Sequence, residues 1–158
     1  MIDFIRKRKR FFIGLLAVLV LLWTVAIFAQ SAKNGEKSSD DTNKVIEIIE
    51  NVVEKIDPDV EVSSHIVRKL AHFSEYLVLG VLVAALMATV GGRWLYIGAW
   101  GYAVSVAFCD EFAVQRFSEG RAPQLTDVLI DSAGAFLGVL AIAVLTYIIM
   151  KRKSEADT

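Results

Sequence analysis

Four long apolar runs, separated by polar segments, set the outline of the chain. Phe11 to Ala29 has no charged residue, and its nineteen positions are enough to cross a bilayer as a helix. Val67 to Val90 is apolar after polar opening turns. Trp94 to Cys109 is also uncharged, but at ~1.5 Å per residue it is only about 24 Å long. That is short of the ~30 Å hydrocarbon core, so a spanning helix there has to continue through Asp110 and Glu111 to about Gln115. A fourth run opens near Thr126 and is uncharged from Ser132 to Met150. The pattern predicts an all-α polytopic membrane protein, a four-helix bundle with spans at 11–29, 67–90, 94–115 and 126–150.

The polar segments predict how the spans are threaded. Residues 1–10 carry the basic run Arg6 to Arg10, and residues 151–158 carry Lys151, Arg152 and Lys153. By the positive-inside bias both termini are expected in the cytoplasm of a cell that holds the protein as a multi-pass membrane protein. A cleavable signal peptide is the competing reading of the first run, since Ala29-Gln30-Ser31 loosely fits a cleavage site. The run exceeds the usual 7–15 residues of a signal's apolar region, so a retained anchor is preferred. Residues 30–66 form an acidic loop with nine carboxylates against four lysines. Within it Val45, Ile49, Val52 and Ile56 recur at helical spacing, which predicts an extracytoplasmic amphipathic helix over about 43–57, with Thr42 or Asn43 as cap and Pro58 as terminator.

Composition adds little to this outline. The chain has 158 residues, of which 55% are hydrophobic, with a net charge of −1. Its mean hydropathy of +0.51 is that of a membrane protein. One cysteine, Cys109, excludes an intrachain disulfide and a multi-cysteine metal site. No nucleic-acid motif is present, and no catalytic residue, cofactor or bound metal is assigned.

The chemistry lies where polar residues interrupt the apolar runs. Asp110 and Glu111 sit well inside a span, where an acid costs roughly 2.5–3.5 kcal/mol even on lenient insertion scales. The bland alternative is a helix ending at Cys109 with its acids among the headgroups. In the second span Arg68, His72, Glu75 and Tyr76 share a face, continued by the small residues Gly80, Ala84 and Ala88. In the fourth span Asp127 and Asp131 share a face with Gly134 and Gly138. Threading the chain in, out, in, out brings Arg68, Lys69, His72, Glu75, Tyr76, Asp110, Glu111, Gln115, Arg121, Asp127 and Asp131 to one depth in the outer third of the membrane. Ionisable groups there pair with one another or line a wet cavity.

These residues resemble the VanZ-like membrane proteins. The matching pieces are Arg68-Lys69-x-x-His72-Phe73-x-x-Tyr76-x-x-Leu79-Gly80, Asp110-Glu111-x-x-x-Gln115, Gly120-Arg121, and Asp127-x-x-x-Asp131-x-x-Gly134-x-x-x-Gly138, within about Val67 to Met150. The family usually has asparagine where this chain has Asp131. The resemblance implies a link to reduced susceptibility to glycopeptides such as teicoplanin, without defining an activity. Three readings follow. In the first, the protein is not an enzyme and its outward cluster binds membrane lipids, a lipid-linked cell-wall precursor or a lipoglycopeptide. In the second, it is a metal-dependent hydrolase or transferase using His72, Glu75, Asp110, Glu111, Asp127 and Asp131. In the third, the cluster is a salt-bridge network, with Arg68 on Glu75 or Asp127 and Arg121 on Asp110 or Glu111. The small-residue faces would serve the bundle or a homo-oligomer equally well.

Overall fold

The computed structural model describes residues 2–32, 46, 63–91, 94–117 and 123–156. The expected amphipathic helix over 43–57, Ile46 apart, and Arg121 lie outside the described residues. Four long helices carry the fold: α1 (Ile2–Ser31), α2 (Ser64–Val90), α3 (Leu95–Cys109) and α4 (Leu125–Ala156). α3 continues through a wider turn, Asp110–Val114, and a tight one, Gln115–Phe117. Four segments, Lys7–Ser31, Ser64–Val90, Leu95–Phe117 and Leu125–Ala156, are long and apolar enough to cross a membrane. Their outer faces bear Phe11, Leu22, Ile97, Leu129 and Tyr147, each more than half exposed. A patch of that kind is at home in hydrocarbon and a liability in water.

α2 is the hub of the bundle. α2 and α4 run in the same direction, and their contact is the most extensive in the protein. Lipid tails give no hydrophobic drive for helix association, so the contact depends on close packing. Glycine supplies it. A Cβ at Gly80 would run into the backbone carbonyl of Ala135, one at Gly134 into that of Phe73, and one at Gly138 into that of Leu77. Ala84 is fully buried in the same core, as are Ala99, Ala103 and Ala107 along one face of α3. The other small residues of α3 are not at this contact: Gly98 and Gly101 border open space.

Indole and hydroxyl donors fix the remaining helices. Trp23 Nε1 donates to the Glu75 carbonyl across α1 and α2 at 2.9 Å. Thr24 and Tyr102 share a hydrogen bond of 3.0 Å between α1 and α3. Trp100 Nε1 donates to the Ser132 carbonyl across α3 and α4 at 3.1 Å. Gly91 closes α2 at φ 99°, a left-handed conformation open to glycine, and its N–H caps the Met87 carbonyl. The last helix begins at Leu125, one residue before the run expected to open near Thr126, and the Gln124 carbonyl takes the Asp127 N–H at 3.0 Å.

Candidate functional site

The site is built on the wide turn at the end of α3. Successive residues of an α-helix diverge by about 100°, so Asp110 and Glu111 could not both face the same neighbours in a regular helix. The backbone widens instead: the Gln115 N–H donates to the Asp110 carbonyl, five residues back. Single π-turns of this sort recur at functional positions in helices. Asp110, Glu111 and Gln115 are all buried, at 0%, 1% and 3% exposure. The helix therefore continues past Cys109, and its acids are buried within the bundle.

Each acid is held by named donors. The Gln115 amide donates to Glu111 Oε2 at 2.7 Å and to Asp110 Oδ2 at 3.1 Å. Ser31, at the end of α1, donates its hydroxyl to the same Asp110 oxygen at 2.8 Å. The backbone N–H of Gln124 donates to Glu111 Oε1 at 2.6 Å, so Glu111 reads the opening of α4. Anions are favoured at a helix N-terminus, where unpaired N–H groups point outward.

α2 and α4 complete the cluster. Lys69 Nζ lies 3.5 Å from Asp127 Oδ1, both side chains about a quarter to a third exposed. It is Lys69, therefore, and not Arg68 that pairs with Asp127. Arg68 is half-buried and close enough for its charge to act on Glu111. His72 and Glu75 are half-buried on the same helix, and Tyr76 is fully buried. One turn deeper than Asp127 on α4 is Asp131, 1% exposed, and among the described residues neither of its carboxylate oxygens has a hydrogen-bond partner. The charges of Asp110, Asp127, Glu111 and Glu75 all act on it. The polar residues named from the sequence thus stand at one end of the bundle, drawn from three spans, apart from Arg121, which is outside the described residues.

Three contributors escape a reading of the sequence. Ser31 looks like a cleavage-site residue, yet it follows directly on an apolar run and so falls at the depth of Asp110. Gln124 acts through its backbone, which no side-chain pattern reveals. Trp23 looks like one more apolar residue, and its indole N–H is the only hint of a docking role. Among the described residues, no three His, Cys, Asp or Glu side chains are grouped to hold a metal ion. A separate apolar cavity of about 310 Å³ lies between α1, α2 and α3, lined by residues including Val20, Val83, Met87 and Gly98, in the half of the bundle away from the cluster.

A helical membrane protein of four spans, with buried acids gathered at one end, is the class that fold and site define. A family model described as VanZ/LLP1 matches residues 16–148, and the chain belongs to that family. The match takes in the second half of α1, so it is not confined to the three spans after the loop. No curated protein and no solved structure matches the chain.

Proposed function

We propose that the protein is a membrane receptor whose polar cluster faces the outside of the cell and takes the headgroup of an anionic cell-envelope amphiphile, either a lipid-linked cell-wall precursor or a lipoglycopeptide. The observation that carries this reading is the mixture of groups at one depth. Arg68 and Lys69 remain partly exposed, while Asp131 stays buried with no hydrogen-bond partner among the described residues. Arg68 can grip a phosphate or carboxylate through paired N–H groups, and Lys69 can add a point charge. The acids accept hydroxyl and amide hydrogens of the same headgroup. The outward orientation rests on the basic runs at Lys7–Arg10 and Lys151–Lys153, which stand at the end of the bundle away from the cluster. Sequestering such a molecule would account for the link to glycopeptide susceptibility that the family resemblance implies.

A structural role for part of the cluster is favoured by one observation: Asp110 and Glu111 are tied into the packing of α1, α3 and α4. The two roles divide by residue, with Asp110 and Glu111 holding the end of the bundle and Arg68, Lys69 and Asp131 meeting the ligand. Photo-crosslinking of a labelled cell-wall lipid precursor in membranes tests the reading. Wild type should label, and Arg68→Gln combined with Lys69→Gln should lose most of the signal. Equal labelling of the two would remove the proposal. Susceptibility to teicoplanin, measured with the same variants, reports whether the cluster carries resistance.

A further inference from the structure

We infer that Asp131 and Tyr76 form a receptor for a primary ammonium group, so that the ligand's headgroup carries an amine as well as a phosphate. The inference rests on the receptor reading above and narrows its ligand. The observation behind it is a contrast within the cluster. Asp110 and Glu111 are supplied with donors from Ser31, Gln115 and Gln124. Among the described residues Asp131, just as deeply buried, has no donor on either oxygen, and the Tyr76 hydroxyl, at 0% exposure, has no partner either. Buried polar atoms of this kind are costly to leave unmatched, most of all on a carboxylate.

A long helical side chain leans toward the N-terminus of its own helix, which carries the Tyr76 hydroxyl toward the polar end of the parallel pair α2 and α4. The charges of Asp110, Asp131, Glu75 and Glu111 act on that hydroxyl. The two oxygens of Asp131 and the phenol oxygen offer three acceptors. An ammonium offers three donors on a compact charge, whereas a quaternary amine offers none. The charge nearer the end of the bundle has the opposite sign: Lys69 pairs with Asp127, four residues and about 6 Å of helix above Asp131. A phosphate held by Arg68 and Lys69 would leave an amine two carbons away at the depth of Asp131.

The test uses the full-length chain in detergent micelles, with short-chain phosphatidylethanolamine, phosphatidylglycerol and phosphatidylcholine as probes and tryptophan fluorescence as the readout. Wild type should bind phosphatidylethanolamine about tenfold more tightly than either of the others. Asp131→Asn, unchanged in size, should bind the three lipids alike while keeping its melting temperature. Should that variant not fold, Tyr76→Phe gives the same comparison with one acceptor removed. Equal affinities in wild type, or a preference that survives both substitutions, overturns the ammonium receptor and leaves the broader reading standing. So does a stabilisation by sodium or potassium that depends on Asp131 without any preference among the lipids. Soluble phosphoethanolamine should compete with the lipid, and its failure to do so also overturns the inference. Loss of precursor crosslinking together with all phospholipid binding would end both proposals.

Discussion

Gln115 is the side chain through which two adjacent carboxylates are made compatible. Its amide has two hydrogens and spends them on Asp110 and Glu111. Gln115→Leu keeps the volume but strips both acids of a donor, and hydrogen bonds to charged groups are worth about 1.5–3 kcal/mol each. Gln115→Glu is nearer in shape, yet it replaces the donor with a third acceptor of like charge. The order of melting temperatures in detergent is therefore expected to be wild type, then Leu, then Glu. A Glu variant as stable as wild type would mean that the acids are held by something other than this amide. The Lys69–Asp127 pair is a different case. Its ends are 30% and 26% exposed and its separation is 3.5 Å, so a double-mutant cycle through Lys69→Met and Asp127→Asn should return no more than about 1 kcal/mol of coupling. The same pair shows what sequence can tell at this scale. Helical spacing places Arg68 and Lys69 at the right depth, but which of two neighbouring cations meets Asp127 depends on the rotation of α2 against α4, which spacing alone does not fix.

At the scale of the element, glycines with the same local chemistry divide into those at a contact and those beside open space. Gly80→Ala or Gly138→Ala would press a methyl into the backbone of the facing helix, and forced overpacking typically costs about 1–3 kcal/mol. Gly98→Ala meets nothing within 4 Å and should be neutral, or stabilising by up to about 1 kcal/mol through helix propensity. Unfolding in mixed micelles should separate the two sets. If all three variants lost stability alike, the α2–α4 contact would not be the tightest in the bundle. The helices themselves were legible in the chain because four apolar runs of spanning length admit few other folds in a membrane. The small residues of α2 and α4 were legible too, each set lying along one face with the polar residues. Those of α3 were not, since alanine at 99, 103 and 107 carries no signal in a run that is apolar all round. The π-turn at Asp110 was hidden for a further reason. A bond to the fifth residue back is imposed by burial of both acids against α1 and α4, and no residue type in Asp110–Val114 demands it.

For the molecule as a whole, the direction of each span follows from contacts that cross between helices. Ser31 meets Asp110, Gln124 meets Glu111, and Lys69 meets Asp127. The ends of α1 and α3 are thereby placed beside the beginnings of α2 and α4. The basic stretches Lys7–Arg10 and Lys151–Lys153 lie together at the opposite end, as the positive-inside bias requires of a single cytoplasmic face. The bias and the contacts are independent: one is read from the distribution of charge, the other from hydrogen bonds. Together they predict the result of a labelling experiment on intact cells. In a Cys109→Ser background, a membrane-impermeant maleimide should reach Ser63→Cys and Gln124→Cys from outside. Ser154→Cys should react only after the cells are opened. Labelling of Ser154→Cys in intact cells, with the other two protected, would turn the protein over. The cluster would keep its geometry, but it would then meet cytoplasmic ligands, and an extracellular glycopeptide would have no path to Arg68.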